Sequence, residues 1–260
     1  MKHVACLVFV FSLIAAASCD VSDPARLKII NGIKVTGDDP VLKHTAALGT
    51  ENGNIQCSAA AIGPNLFMTA AHCVYMRDLS GWTIRAGNIA GDAEILDVDS
   101  AITHKNFNRT LLTVENPDTA PNDLAILKTT QSTSFLTPVA IIPDDVRASL
   151  TMPFEITIAG YGRTEPNNRD SKGILFKATV LVNNQTPAIN EFATHDADGK
   201  MGCHGDSGGP AFYKNGDVPV LIGVISRGTT TCDESKAFYT DVAAFRSFTE
   251  SASKELTNAK

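Results

Sequence analysis

The chain has 260 residues, of which 43% are hydrophobic and 19% charged. That is enough apolar material for one large domain or two of about 115–130 residues each, and the composition excludes wholesale disorder. The formal net charge is −6 with no run of five like charges, which argues against nucleic acid and anionic membrane as partners.

Lys2 and His3 precede an apolar run of 14 residues, "VACLVFVFSLIAAA", followed by "AAASC". The run is short for a membrane span and fits the hydrophobic region of a secretory signal. Residues 1–18 are therefore expected to be a signal peptide cut near Ser18, and the protein to be extracellular. "AASC" also loosely resembles a lipoprotein cleavage box, so the alternative is a bacterial lipoprotein or periplasmic protein, with membrane contact only through a lipidated Cys19. Export implies oxidising conditions, in which cysteines read as disulfides. Cys6 leaves with the signal and Cys19 sits at its boundary. Cys57, Cys73, Cys203 and Cys232 remain, an even set with three possible pairings.

Short apolar or alternating runs follow, bounded by Gly, Pro, Asn and Asp: "HTAALGT", "SAAAIGPNLFMTAAHC", "WTIRAGNI", "AEILDVDSAITH", "DLAILK", "FEITIAGYG", "ILFKATVLV", "PVLIGVISRG" and "AFYTDV". Their spacing predicts an all-β sandwich or barrel. "TTQSTSFLTPVAIIPDD" (129–145) changes composition and is the expected crossing between halves. "RTEPNNRDSKG" (163–173) is an expected exposed hairpin loop. Only the end reads as helical, with Asp241 capping "VAAFRSFTESASKEL". Asn108 and Asn184 open "NRT" and "NQT", glycan acceptors if the source is eukaryotic.

The stretch "KMGCHGDSGGP" sets Ser207 behind Asp206 and among glycines. Such residues make ordinary turns, but they also suit a nucleophile in a tightly shaped loop. A serine hydroxyl attacks an amide only when an imidazole takes its proton and a carboxylate orients that imidazole. Of the six histidines, His3 lies in the signal. His44, His104 and His195 read as surface or satisfied side chains, and His204 as a cleft neighbour of the serine. His72 differs, because "FMTAAHCV" runs an apolar strand into a cysteine that can tie the turn down. Asp123 opens "NDLAILK", a carboxylate at the start of a buried strand. A buried aspartate needs hydrogen-bond partners, and His72 can supply one.

"TAAHC", "NDLAILK" and "GDSGGP", in that order, resemble the trypsin/chymotrypsin-like serine proteases, whose triad runs His, Asp, Ser. The resemblance extends from "IINGIKV" at Ile29 to the terminal helix. It implies an all-β fold of two antiparallel Greek-key β-barrels with the active site in the cleft between them and a C-terminal α-helix. Residues 29–135 would form the first barrel and 136–260 the second with the helix. It implies a secreted serine endopeptidase working through an acyl-enzyme. His72 would be general base and acid, Asp123 its orienting carboxylate, and Ser207 the nucleophile. The N–H groups of Gly205 and Ser207 would form the oxyanion hole. It pairs Cys57 with Cys73 and Cys203 with Cys232. It makes residues 19–28 an activation propeptide, cut between Lys28 and Ile29, after which the new Ile29 amine pairs with Asp206. Polypeptide substrates, an activating trypsin-like protease and protein inhibitors are the implied partners of a monomer that needs no cofactor or metal.

The sequence departs from the family pattern around the substrate. Val182 to Cys203 is a shorter segment without the usual disulfide. Ser226 and Gly228 keep the substrate-pairing strand, but Arg227 stands where many relatives have Trp, which suggests a taste for acidic residues elsewhere in the substrate. Met201, six residues before Ser207, stands at the place that is the pocket floor in the resembling enzymes, where a carboxylate would select Lys or Arg. Ala237 replaces the usual Gly and narrows the slot. The expected preference before the scissile bond is a small or medium apolar residue, since an unpaired buried cation is costly. The alternative is a non-catalytic binding protein on the same fold with an occluded pocket. A carboxylesterase would place its serine in a strand–elbow–helix context, absent here.

Overall fold

The protein is described from a computed structural model covering residues 29, 31–87, 92–112, 121–164, 168, 171–186, 190–195, 198–228, 232 and 236–259. The expected signal peptide, Cys6, Cys19, Lys28 and the propeptide lie outside these residues. So do parts of the 163–173 loop and of the segment between Gly228 and Cys232.

The first half holds strands β1 (Ile33–Lys34), β2 (Thr45–Thr50), β3 (Ile55–Ala61) and β4 (Leu66–Thr69), a one-turn helix α1 (Ala71–Val74), and β5 (Trp82–Ala86), β6 (Glu94–Thr103) and β7 (Ala125–Thr129). A short helix α2 (Asp144–Ser149) precedes β8 (Phe154–Gly160), β9 (Phe176–Thr186), β10 (Glu191–His195), β11 (Pro210–Asn215), β12 (Val218–Gly228) and β13 (Lys236–Asp241). Helix α3 (Arg246–Asn258) ends the chain. Strands β2 to β7 close into an antiparallel barrel in the order β2-β3-β4-β7-β6-β5. Strands β8 to β13 close in the same pattern, β8-β9-β10-β13-β12-β11, through the β8–β9 pairing, and β1 joins the edge of β9. In each barrel three consecutive strands pair, and the next three return from the far side of the first. This is the two-barrel Greek-key architecture expected from the resemblance.

Small side chains let the first barrel close tightly. Ala46, Ala47, Ala59, Ala60 and Ala61 are fully buried beside Leu48, Phe67 and Ile126. Cys57 is bonded to Cys73, tying β3 to α1, and Cys203 to Cys232. Two short helices were not legible in the sequence. One or two turns give no readable period, and α2 is set by tertiary contacts as much as by its acidic first turn, Asp144 and Asp145. Arg147 in α2 holds Asp241 of β13 at 2.6 Å. Asp241 caps a 3-10 turn (Val242–Phe245) rather than α3 itself. Helix α3 buries Thr249, Ala252 and Leu256, one face at helical spacing, and packs against β6 and β7 of the first barrel. His104, expected to be unremarkable, lies edge-on to Phe245 and Phe248 at this junction.

The barrels meet at Ser58 of β3. Its N–H donates to the Ser207 carbonyl at 2.8 Å, and its carbonyl accepts from Thr69 Oγ1 at 2.8 Å. Its hydroxyl donates to the Gly205 carbonyl at 2.9 Å and accepts from the Tyr161 N–H at 2.9 Å. The Tyr161 hydroxyl in turn donates to the Gly87 carbonyl of the first barrel at 3.1 Å. Ser58→Ala strands a buried carbonyl and a buried N–H. With about 1–3 kcal/mol for an unsatisfied buried group, we expect a loss of about 2–4 kcal/mol in chemical denaturation with an unchanged m value.

Candidate active site

Strand β4 runs into α1 through an extended Ala70, and the single helical turn presents His72 to the seam. Asp123 stands two residues before β7, after Asn122 in a left-handed conformation (φ 50°). The Asp123 carboxylate is fully buried. It accepts from the His72 N–H at 2.8 Å and meets His72 Nδ1 at 2.7 Å. The Ser226 hydroxyl donates to it at 2.7 Å, and Thr240 Oγ1 donates to the Asp123 carbonyl at 3.1 Å. Burial pushes the Asp123 carboxyl up, but the His72 charge and the hydrogen bonds from His72 and Ser226 outweigh it and hold it below the usual carboxylate range. Asp123 and His72 belong to the first barrel and Ser226 and Thr240 to the second, so the full set of donors around Asp123 assembles only where the barrels dock.

Ser207 lies across the same cleft from His72. No hydrogen bond joins its hydroxyl to the imidazole among the described residues. Contacts of this kind commonly tighten only in the complex with substrate. Two glycines shape the Ser207 loop. Gly205 has φ 103°, and a Cβ there would sit 2.8 Å from Gly162 Cα. Gly208 has φ 81°, and a Cβ would sit 2.0 Å from Thr69 Oγ1. Both positions exclude ordinary side chains. Among the described residues the Gly205 and Ser207 N–H groups meet no protein acceptor.

Asp206, beneath this loop, is fully buried. Its carboxylate accepts from the Gly162 and Cys203 N–H groups, each at 2.8 Å. Burial pushes its pKa up to about 6, which those bonds and the Lys172 charge only partly offset. The Lys172 ammonium donates to the Ile55 carbonyl of the first barrel at 2.8 Å. Ile29 is 1% exposed and packs in the second-barrel core with Ile158 and Phe176. Beside it Asn31 Nδ2 donates to the Asp198 carbonyl at 2.6 Å.

The cleft measures about 220 Å³, and its walls include His72, Leu112, His204, Ser207, Arg227 and Ala237. Met201 is 1% exposed and stands behind these walls. Its terminal methyl lies 3.1 Å from where a Gly228 side chain would begin. Arg227 does not present a free charge to the cleft: both terminal nitrogens of its guanidinium are held by Glu191, at 2.5 and 2.8 Å. The acidic-substrate preference read from Arg227 therefore loses its basis in the folded chain. The Cys57 and Cys73 sulfurs near the His72 ring are bonded to each other and offer no thiolate to a metal.

A family model described as Trypsin matches residues 30–249. The chain belongs to the trypsin family of serine endopeptidases. Its relatives include a trypsin of Phaedon cochleariae, 31% identical over 215 residues, covering 73% of this chain and 76% of the relative. Trypsin-1 of Astacus astacus is 28% identical over 191 residues, covering 66% of this chain and 76% of the relative. Among solved structures the chain is similar to mouse neuropsin, a serine protease, with a TM-score of 0.66 at 20% identity over 85% of this chain and 97% of that one. That likeness is one of fold, and it matches the two closed barrels. Ser58, Tyr161, Thr240, Lys172 and Glu191 were missed as site-supporting residues by sequence reasoning. Only the serine directly after Cys57, a polar residue in the run "CSAAA", gave any local signal.

The Asp206 carboxyl yields a prediction with a definite sign. Its folded pKa of about 6 exceeds the ordinary 3.8. Its contribution is therefore full below about pH 4 and is lost as pH rises through about 6. Relative to the Asp206→Asn variant, the uncut chain carrying Ser207→Ala should lose on the order of 3 kcal/mol over that interval. Paired urea titrations from pH 4 to 7 measure the difference.

Proposed function

We propose that the chain is the precursor of an exported serine endopeptidase, activated by cleavage after Lys28. The observation that carries the reading is the buried Asp123 carboxylate, hydrogen-bonded to His72 within the cleft that also holds Ser207. His72 takes the Ser207 proton as the hydroxyl attacks a peptide carbonyl, then delivers it to the leaving amine. Asp123 fixes the imidazole tautomer and stabilises its charged form. The Gly205 and Ser207 N–H groups receive the developing oxyanion, a contact typically worth about 2.7–4 kcal/mol of barrier per donor. Water then hydrolyses the acyl-enzyme by the same proton shuttle in reverse.

The zymogen reading is supported by the buried Ile29 and by Asp206, a buried carboxylate with no ion-pair partner in contact among the described residues. Cleavage creates an α-amino group at Ile29 that can supply the missing charge and lock the loop bearing the oxyanion donors. A pocket without an acidic floor does not favour Lys28, so the activating cut falls to a separate trypsin-like protease. Several relatives come from animals, including a venom serine protease of Polistes dominula, which supports an extracellular setting. The non-catalytic alternative gains no specific support, because His72 and Ser207 both line the cleft and Asp123 is bonded to His72.

Ser207→Ala, His72→Ala and Asp123→Asn should each lower kcat by on the order of 10⁴–10⁶, and their combinations should add little. A fluorophosphonate probe should label Ser207 after cleavage at Lys28 and fail in Ser207→Ala; wild-type turnover in His72→Ala would sink the assignment.

Substrate choice follows from Met201 and Ala237. Matched peptides should show a higher kcat/KM for a small apolar residue before the scissile bond than for Lys or Arg. Met201→Gly should deepen the slot and move the optimum toward larger side chains, by about 10-fold or more between Ala and Phe. A wild-type preference for Arg would overturn the reading.

A further inference from the structure

The triad does not account for a second buried ion pair that shares its wall. Arg227 follows Ser226 on β12, where the register against β13 shifts between Ile225 and Arg227. Its side chain is 5% exposed and that of Glu191 2%. The guanidinium lies 4.3 Å above the Phe238 ring, and both of its terminal nitrogens engage the Glu191 carboxylate. Glu191 is the cross-strand partner of Thr240, whose hydroxyl supports Asp123. Arg227 lines the cleft, whereas Glu191 stands behind it. Among the described residues the Arg227 Nε–H is buried without a hydrogen-bond partner.

A guanidinium held at two points and stacked on an aromatic face is neutralised and fixed in orientation. Removing one partner of a buried pair leaves the other uncompensated, a strongly unfavourable state. The open route for Arg227 is the cleft that it already borders. Polar groups that face a substrate there decide specificity more sharply than apolar area does.

We propose that Glu191 is a positioning residue for substrate selection: by holding Arg227 in the barrel wall, it keeps a free cation out of the part of the cleft that meets residues preceding the scissile bond. This rests on the endopeptidase reading and deepens it. The native enzyme then treats Glu and Gln alike at the second to fourth positions before the scissile bond. Loss of the Glu191 charge releases Arg227 to pair with a substrate carboxylate.

The test compares kcat/KM for peptide pairs with Glu or Gln at each of those positions, on enzyme cleaved after Lys28. The wild-type Glu-to-Gln ratio should stay within about threefold, and in Glu191→Gln it should rise at least tenfold at one position. Adding Arg227→Gln should abolish that rise, which a merely structural role would not do. An equal fall for both peptides in Glu191→Gln, or a wild-type ratio already above tenfold, overturns the proposal. Should Glu191→Gln not fold, Arg227→Lys keeps the charge but loses the two-point grip; an unchanged ratio there also overturns it. Fluorophosphonate labelling of Ser207 in the same samples reports separately on the endopeptidase reading.

Discussion

Ser58 is the point at which the two barrels become one site. Its backbone and hydroxyl make four hydrogen bonds, and three of them reach the second barrel, at Gly205, Ser207 and Tyr161. Those bonds set the Ser207 loop against the strand whose disulfide anchors the His72 turn. A slip at this seam would move the serine relative to the histidine without disturbing either barrel. Positioning of this kind is where small displacements cost most in rate.

The charges near the seam are buried, and each is handled differently. The Asp123 carboxylate is stabilised by His72 and the Ser226 hydroxyl. Glu191 and Asp241 are neutralised by Arg227 and Arg147. Asp206 has hydrogen bonds and a nearby lysine, but no cation in contact among the described residues. Space for it is made by Gly160 and Gly162, where a Cβ would fall 2.3 Å from its Oδ1 and 2.5 Å from its N respectively. Burial pushes the Asp206 carboxyl up to about 6, and it is the group to which the proposed activation would bring a charged partner.

The proposed substrate wall follows from the same economy of charge. Where many family members use an aromatic side chain, this chain has an arginine, and a bare arginine would have changed what the cleft attracts. The fold answers with a glutamate from the adjoining strand pair and the Phe238 face. The wall therefore stays neutral while containing two full charges, and its selectivity depends on a residue that never touches the cleft.

The strand-rich fold, the special loop glycines and the residues proposed as the triad were legible in the sequence, because each rests on a short contiguous motif. "TAAHC", "NDLAILK" and "GDSGGP" carry local constraints: a stapled turn, a buried strand start, a loop with no room for side chains. Helices α1 and α2 were not legible, being too short to show a period. The partnership of Glu191 with Arg227, 36 residues apart, and of Ser58 with Gly205, 147 apart, left no local mark. Sequence thus determined which chemical groups the chain possesses and which loops must be tight. Tertiary structure decided which charges are free, because a buried charge takes its partner from whatever strand the barrel closure brings alongside, and that is a property of register rather than of spacing along the chain.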